Sequence, residues 1–231
     1  MRTTIKDYTE TLQAETNSTM NDKNEKELDL HPANIMFSQA IRAAQTGLGS
    51  SKRISKMIEQ GNWRALLSSE QKAFIVKRDS FYFGTATKQG APYIQHRGGE
   101  PGFIQVEGRS TIWFPDYSGN QHYMSVGNLS ENAKSFLFFM DYENQRRIKI
   151  WGRSFVHDSS ELPTKLKIGP PIQRAICFKI DALDENCRQY IRPRYTKEDY
   201  QQQINAANQK IGALQAELQM SKELMSCLLQ P

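Results

Sequence analysis

Two loops of the sequence carry side chains that could bind an anion. The first follows a predicted strand and places a cation and an imidazole beside paired glycines, in the segment Gln95, His96, Arg97, Gly98 and Gly99. Glycines let a backbone approach a ligand closely, and their amides can bind an anion. The forked donor of an arginine suits a phosphate. The same pattern is also typical of a glycine-rich turn with a surface arginine, so spacing alone leaves both interpretations open.

The second loop spans residues 116–129 and is dense in hydrogen-bonding groups. So many polar groups after a strand indicate a bound partner, and a phosphate or a sugar would satisfy them. The alternative is a solvated loop that caps a following helix, with Asn128 or Ser130 as the cap. The two interpretations are compatible. The polar side chains belong to Ser118, Asn120, Gln121, His122, Tyr123, Ser125 and Asn128.

A third feature is a predicted strand in which cations and an aromatic ring share one face. Side chains alternate along a strand, so Arg147, Lys149 and Trp151 face one way, and Ile148 and Ile150 face the other. A cationic donor on such a face could stabilise negative charge that develops on a bound group. The pattern is also common on half-exposed strands with an alternating charged face.

Short strands at close spacing must position these loops. Seven segments are aromatic, β-branched or alternating, as strands are, and residues 107–109 are typical of a hairpin turn. This spacing predicts a β-barrel or a sandwich. The segments are residues 81–87, 92–96, 103–106, 111–114, 135–140, 147–155 and 175–180.

Helices are predicted on both sides of the strands. Residues 33–77 contain apolar stripes at helical spacing, and Ser68 or Ser69 could cap the last of these helices. Residues 196–230 predict a longer helix with apolar residues every seven positions. Its seam is either half of a coiled coil that joins two chains or the face of a single helix packed on its own barrel. The seam residues are Ile204, Ile211, Leu218 and Met225, with Ala207, Leu214, Ser221 and Leu228.

The charge distribution narrows the class of partner. The 231 residues carry a net charge of +5; residues 1–30 hold four basic and seven acidic side chains, so the other 201 carry +8. A basic body suits an anionic ligand, although an ordinary basic surface has the same balance. The basic residues are scattered, so we expect no nucleic-acid partner.

Other classes of protein are disfavoured by what the sequence lacks. No stretch approaches the roughly 18 apolar residues of a membrane span, so we expect no membrane partner. Residues 1–30 lack an apolar signal region, so we expect a cytoplasmic protein. Cys177, Cys187 and Cys227 show no metal-ligand spacing and predict no disulfide framework or metal site. We expect a mobile polar arm over residues 1–30.

In their order and spacing, several motifs resemble one branch of the pyridoxamine 5′-phosphate oxidase-related flavoproteins. The likeness covers most of residues 31–195, which we take as one domain, followed by the C-terminal helix of residues 196–231. The motifs that carry it are Gln95-His96-Arg97-Gly98-Gly99, Pro101-Gly102-Phe103, Gly119-Asn120-Gln121, Tyr123, Gly127-Asn128-Leu129, Met140-Asp141-Tyr142 and Arg146 to Gly152.

The resemblance implies a mainly β fold with flanking helices (α+β). It implies a six-stranded FMN-binding split β-barrel that forms a homodimer with two FMN sites in the subunit interface. The helices predicted from apolar spacing would add N-terminal helices and a C-terminal amphipathic helix to this barrel. Arg147 would reach the flavin ring, where a cation stabilises the anionic reduced form. The other implied cofactor-binding residues are Gln95, His96 and Arg97 on the strand that lines the flavin, Phe114 and Pro115 at the end of the next, Asn120, Gln121 and Tyr123 at the phosphate or ribityl chain, and Asn128.

The sequence departs from the family pattern at the phosphate loop. Where pyridoxamine phosphate oxidases carry an Arg-Lys pair, this chain has Met124 and Ser125, and Glu100 or a neighbouring glycine replaces a strand lysine. These differences argue against pyridoxamine phosphate as the substrate. They leave Arg97 and His122 as the candidates for neutralising a phosphate.

Three functions fit the sequence. The first is an FMN-dependent oxidoreductase that acts on an unidentified small molecule or reductant, with its catalytic residues unassigned. The second is a non-catalytic module that holds a flavin, a deazaflavin or a haem, and His96 or His122 could serve a haem. The third is an adaptor that recruits a partner through the C-terminal helix.

Overall fold

The fold is given by a computed structural model. It describes residues 32–61, 63–158, 172, 174–185 and 189–228. The predicted mobile arm, residues 1–30, lies outside the described residues. The chain forms two compact units: the first holds residues up to Met140 and Arg147–Asn186, and the second holds Asp141–Arg146 and Cys187–Pro231.

The first unit is built on one antiparallel sheet of seven strands in the order β2-β1-β5-β6-β7-β4-β3. All seven segments that the sequence predicted as strands are strands in the sheet. The strands are β1 Ser80–Ala86, β2 Pro92–Gly98, β3 Gln105–Glu107, β4 Thr111–Asp116, β5 Lys134–Asp141, β6 Arg146–Asp158 and β7 Arg174–Glu185.

One face of the sheet encloses a core rich in phenylalanine. Phe81 contacts the rings of Phe103, Phe114 and Phe139 at centroid distances of 4.9–6.0 Å, and Phe83 contacts Phe114 at 5.2 Å. The alternation along β6 buries Ile148 and Ile150 in this core and leaves Arg147, Lys149 and Trp151 on the outer face, as predicted.

The longest strand pair contains a bulge at a glycine. The β6–β7 register shifts between Trp151 and Gly152. A Cβ at Gly152 would collide with the Lys179 carbonyl oxygen and the Phe178 ring. The close approach of the two strands therefore requires glycine at this position.

Four helices precede the sheet within residues 32–61 and 63–79: α1 Pro32–Met36, α2 Gln39–Gly47, α3 Ser51–Glu59 and α4 Ser69–Val76. Of the two predicted caps for α4, the structure selects Ser68. Its hydroxyl accepts a hydrogen bond from the Gln71 backbone amide, and the Gln71 side-chain oxygen accepts one from the Ser68 backbone amide. These two bonds form a capping box. The helix buries Phe74 and Ile75.

The helix after the polar loop, α5, runs Met124–Glu131. The prediction that Asn128 or Ser130 caps it is wrong. The helix begins four residues before Asn128, after Tyr123 in the left-handed conformation (φ 51°). The hydrogen-bonding capacity of Asn128 is used elsewhere: its amide is buried and donates to Thr85 Oγ1 of β1 at 3.0 Å. The Asn128 side chain therefore bonds to a residue that is distant in the sequence and does not cap the helix.

The second unit contains the C-terminal helix α6, Lys197–Leu228. Its first turn is capped by Thr196, which accepts the Asp199 amide through Oγ1 at 3.1 Å and donates its own amide to Asp199 Oδ2 at 3.0 Å. The Thr196 hydroxyl, which donates to Asp199 Oδ2 at 2.7 Å, and the Thr196 backbone amide both lower the pKa of the Asp199 carboxyl. Gln145 Nε2 donates to the Ile191 carbonyl within the same unit.

The α+β class, the antiparallel sheet and the flanking helices confirm the predicted fold class. The strand count differs, because the resemblance implied six strands and the sheet has seven. Strand β3 has three residues and forms a hairpin with β4 at one edge of the sheet. Within the described residues, no helix combines the length and the apolar character needed to cross a bilayer.

Candidate functional site

Two arginines share one buried carboxylate at an end of the sheet. Arg97 Nη1 donates to Asp116 Oδ1 at 2.7 Å, and Arg174 Nε donates to Asp116 Oδ2 at 3.0 Å. The side chains of Arg97 and Asp116 are 10% and 7% exposed, and that of Arg174 is 23% exposed. Two cations against one anion leave an excess positive charge where solvent screens it poorly.

Strand pairing brings these three residues together. Asp116 ends β4 and lies opposite Arg174, the first residue of β7. Arg97 comes from β2, at the other side of the sheet order, and points inward as the one buried residue of that strand. The Asp116 carboxylate thus joins two strands that are not neighbours in the sheet.

The loop that leaves β4 bends over this ion cluster. Gln121 and Tyr123 adopt left-handed backbone conformations, with φ of 59° and 51°. Such values are costly for residues other than glycine and are found where a loop shape serves a site. The His122 amide donates to Asn120 Oδ1 at 3.2 Å, and the Arg174 guanidinium lies 5.2 Å from the Tyr123 ring centroid.

The amino end of α5 adds backbone donors to the same place. Tyr123, at the cap position, makes no side-chain hydrogen bond to the first turn. The amides of the first turn of a helix are therefore available to an anion, and the helix dipole favours negative charge there. Ser125, in that turn, donates its hydroxyl to Gln95 Oε1 of β2 at 3.1 Å.

Together these elements line a polar pocket on the surface of the first unit. Partial burial raises the pKa of the Tyr117 phenol in its wall above the usual value. The lining combines guanidinium, amide, hydroxyl and imidazole groups, which suits an anion that carries hydroxyl groups. The lining residues are Tyr93, Gln95, Arg97, Asp116 to Val126, and Arg174.

Five of the ten predicted cofactor-binding residues line this pocket: Gln95, Arg97, Asn120, Gln121 and Tyr123. They come from β2 and from the loop after β4, the two segments that the sequence singled out. His122, a predicted candidate for phosphate charge, lies there too. Their binding role remains a prediction, and their common location is a structural fact.

The other five predicted residues lie elsewhere. His96 alternates to the outer face of β2, where its ring is 5.8 Å from that of Tyr82. Phe114 and Pro115 are buried in β4, and Phe114 packs in the phenylalanine core. Asn128 bonds to β1, as described above, and Arg147 does not line the pocket.

Arg147 differs from its neighbour Lys149 on the outer face of β6. Lys149 Nζ bonds to Asp184 Oδ2 at 3.3 Å, so its charge is already partnered. Arg147 Nε is buried and has no hydrogen-bond partner among the described residues. A buried donor without a partner is uncommon in folded proteins.

The outer face around these residues is aromatic. The Phe136 and Trp151 rings meet at 4.8 Å, and Tyr82 lies 6.4 Å from Phe138. Ile94 on β2 is 69% exposed. Strands β1, β2, β5 and β6 therefore present partly exposed apolar side chains on the side opposite the core.

The sequence interpretation missed Asp116 and Arg174 as site residues. Asp116 was the first residue of the polar loop, but it was not among the hydrogen-bonding residues that were singled out there. Arg174 lies 58 positions further along the chain. Only the β4–β7 pairing joins it to the loop, and no local pattern could have revealed that contact.

The model of the family described as "Pyridoxamine 5'-phosphate oxidase" matches residues 67–185, which is just over half of the chain. The chain belongs to this family. The matched segment begins before α4, ends with β7 and includes every residue of the pocket. A comparison with curated proteins gives no match.

Among solved structures, this family member is similar to HupZ of Group A Streptococcus, with 14% identity over 56% of this chain and 100% of that one and a TM-score of 0.42. A protein related to general stress protein 26 from Clostridium acetobutylicum is 20% identical over 51% and 85% of the two chains, with a TM-score of 0.38. An FMN-binding protein from Syntrophomonas wolfei is 17% identical over 50% and 84%, with a TM-score of 0.36.

Proposed function

We propose that this member of the pyridoxamine 5′-phosphate oxidase family binds FMN, with the FMN phosphate in the polar pocket. The observation that carries the proposal is the pair of arginines, Arg97 and Arg174, held by Asp116 beside the uncapped first turn of α5. A guanidinium fork and helix amides are the two donor sets that proteins commonly use for a phosphate.

The residues present fit a phosphate, although the basic pair of the family pattern is absent. Arg97 Nε is buried and has no hydrogen-bond partner among the described residues. Arg174, which the sequence interpretation did not include, supplies a second cation. The two arginines thus provide the charge that Met124 and Ser125 cannot.

We further propose that two copies form a homodimer with the FMN sites in the interface. Arg147 and His96 lie on the outer face of the sheet, away from the pocket of their own chain. In a dimer that packs this aromatic face, Arg147 would serve the pocket of the other copy. Burial of the exposed apolar side chains would stabilise such a dimer.

The activity that fits best is that of an FMN-dependent oxidoreductase acting on an unidentified small molecule, and not on pyridoxamine phosphate. FMN, when bound, supplies hydride transfer. Arg147 would offer its unpartnered Nε to the ring, and a cation there favours the anionic reduced form. The pocket residues would hold the phosphate and the sugar alcohol chain and so fix the position of the ring.

The first test is the visible absorption spectrum of the purified protein, with the released cofactor identified by mass. A flavin spectrum and the mass of FMN support the proposal, and bleaching by a reduced nicotinamide supports the oxidoreductase activity. A haem band would favour the non-catalytic module instead. A colourless protein that also refuses added FMN would overturn the proposal.

A matched pair of arginine variants tests the phosphate site. Arg174→Gln should raise the FMN dissociation constant about 10- to 100-fold, since a hydrogen bond to a charged group contributes roughly 1.5–3 kcal/mol. Arg153→Gln is the control, because Arg153 pairs with Asp181 and is 56% exposed. Equal affinities in the two variants would place the phosphate elsewhere.

A further inference from the structure

The C-terminal helix α6 carries a stripe of exposed apolar side chains. Ile211, Leu214, Leu218 and Met225 are between 53% and 64% exposed. They occupy the two seam positions of the heptad pattern, so they lie along one side of the helix. The helix has 32 residues, which corresponds to a rod of about 48 Å at 1.5 Å per residue.

We propose that this stripe binds the same stripe of a second copy of the chain, with the two α6 helices antiparallel. This inference is independent of the proposed cofactor. The occupant is a second copy because the stripe is complementary to itself in one register. In that register, two facing seam residues have numbers that add to 425, and the helix midpoint coincides with the axis between the copies. Lys197 then lies level with the partner's Leu228, so the whole helix is paired.

The sizes of the side chains favour this arrangement over a parallel one. In the antiparallel register each small seam residue faces a large one, so that Ala207 meets Leu218 and Ser221 meets Ile204. In a parallel pair the small residues would face each other and leave voids, which cost packing energy. The remaining layers join Ile211 to Leu214 and Tyr200 to Met225.

Charge agrees with the register. Lys210 and Glu217 flank the seam, and the antiparallel register brings each against the other on the second copy, twice by symmetry. Opposed helices also have opposed dipoles. A parallel pair would instead join Glu217 to Lys222. Both orientations are therefore permitted by charge, and substitutions can tell them apart.

Disulfide trapping in the full chain tests the register. The starting protein is Cys187→Ser/Cys227→Ser, which retains the buried Cys177. Ala207→Cys with Leu218→Cys should cross-link two chains efficiently under mild oxidation. Neither single variant should do so, because a residue and its own copy would be about 16 Å apart along the axis, at 1.5 Å per residue. Cross-linking by the single variants would indicate a parallel pair, and no cross-linking at all would indicate that α6 does not pair with itself. Either result would overturn the proposal.

Charge reversal provides a second readout in the same cysteine background. Lys210→Glu should slow cross-linking about fivefold, since two like-charged contacts replace two attractive ones. Adding Glu217→Lys should restore the original rate. In a parallel pair the double variant would cross-link more slowly than the starting protein, because the introduced lysine would then face Lys222 of the other chain; that outcome would contradict the antiparallel register.

Discussion

The sheet buries apolar side chains, whereas the C-terminal helix α6 exposes them. In the sheet, Phe83, Phe114 and Leu137 are 0% exposed. In α6, Leu214 and Leu218 are each 56% exposed. The sheet therefore gains its stability from contacts within one chain, whereas the exposed leucines of the helix contribute little to the stability of the chain.

The two glycines Gly152 and Gly212 give the largest contrast. Gly152→Ala should destabilise the sheet by about 4 kcal/mol or more, because the new Cβ meets a backbone oxygen that cannot move aside. Gly212→Ala should stabilise the chain by about 0.5–1 kcal/mol, since no atom lies within 4 Å of its Cβ and alanine is the better helix former. Urea unfolding, followed by circular dichroism, measures both changes.

The two outcomes have opposite signs, so each variant is the control of the other. If Gly152→Ala unfolds with an unchanged midpoint, the β6–β7 bulge is looser than the structure shows. A loss of stability in Gly212→Ala would indicate that a partner approaches the helix backbone at that position.

A leucine pair sharpens the contrast. Leu137→Ala should cost about 3 kcal/mol, the usual loss for a buried leucine. Leu214→Ala should change the unfolding of the sheet by less than about 0.5 kcal/mol, as expected for an exposed position. Tryptophan fluorescence reports the sheet selectively, since Trp63, Trp113 and Trp151 all belong to the first unit. Equal losses would mean that the helix and the sheet unfold as one cooperative unit.

The same contrast decides what could be predicted from the sequence. Strands are indicated locally, through runs such as residues 81–87 and the hairpin turn at residues 107–109, and all seven were found. Ser68 was also a predictable cap, because its partner Gln71 is three residues away. The Tyr123 start of α5 was not predictable, since the left-handed loop before it depends on β4, β2 and β7.

The site was predictable to the extent that it is local. Gln95 and Arg97 lie on one side of β2, and strand alternation alone would have separated His96 from them. The resemblance assigned all three residues to the cofactor site, because a sequence motif identifies a segment of the chain and does not say which face of the strand each side chain occupies. Arg174 and its bond to Asp116 depend on pairing across 58 residues, for which a single sequence carries no signal.

Asp116 provides the next prediction. Asp116→Asn should lower the stability of the ligand-free protein by about 2 kcal/mol, because two guanidinium groups lose their common counter-ion and the single amide oxygen of asparagine can accept from only one of them. The same variant makes the pocket more positive, so FMN should bind at least as tightly as to the original chain. Thermal unfolding with and without FMN measures both effects. A large loss of FMN affinity would show that the orientation that the carboxylate gives to the two arginines matters more for binding than the added positive charge.

The smallest effect concerns Cys177, which lies on β7 in a small cluster with Trp113 and Ala175. Burial raises the pKa of its thiol from 9.0 to about 11, with opposing contributions from Lys179, which lowers the pKa, and Glu107, which raises it. At pH 8 the Cys177 thiolate is therefore scarce. In the variant Cys187→Ser/Cys227→Ser, the remaining thiol of the folded protein should react with a disulfide reagent far more slowly than the same thiol in the urea-unfolded chain. Because the folded pKa is the higher one, the contribution of this thiol to stability is complete below pH 9 and is lost as the pH rises towards 11. Fast labelling of the folded protein at pH 8 would mean that β7 opens readily. The buried side chains of the sheet would then be more accessible than their contrast with the exposed side chains of α6 predicts.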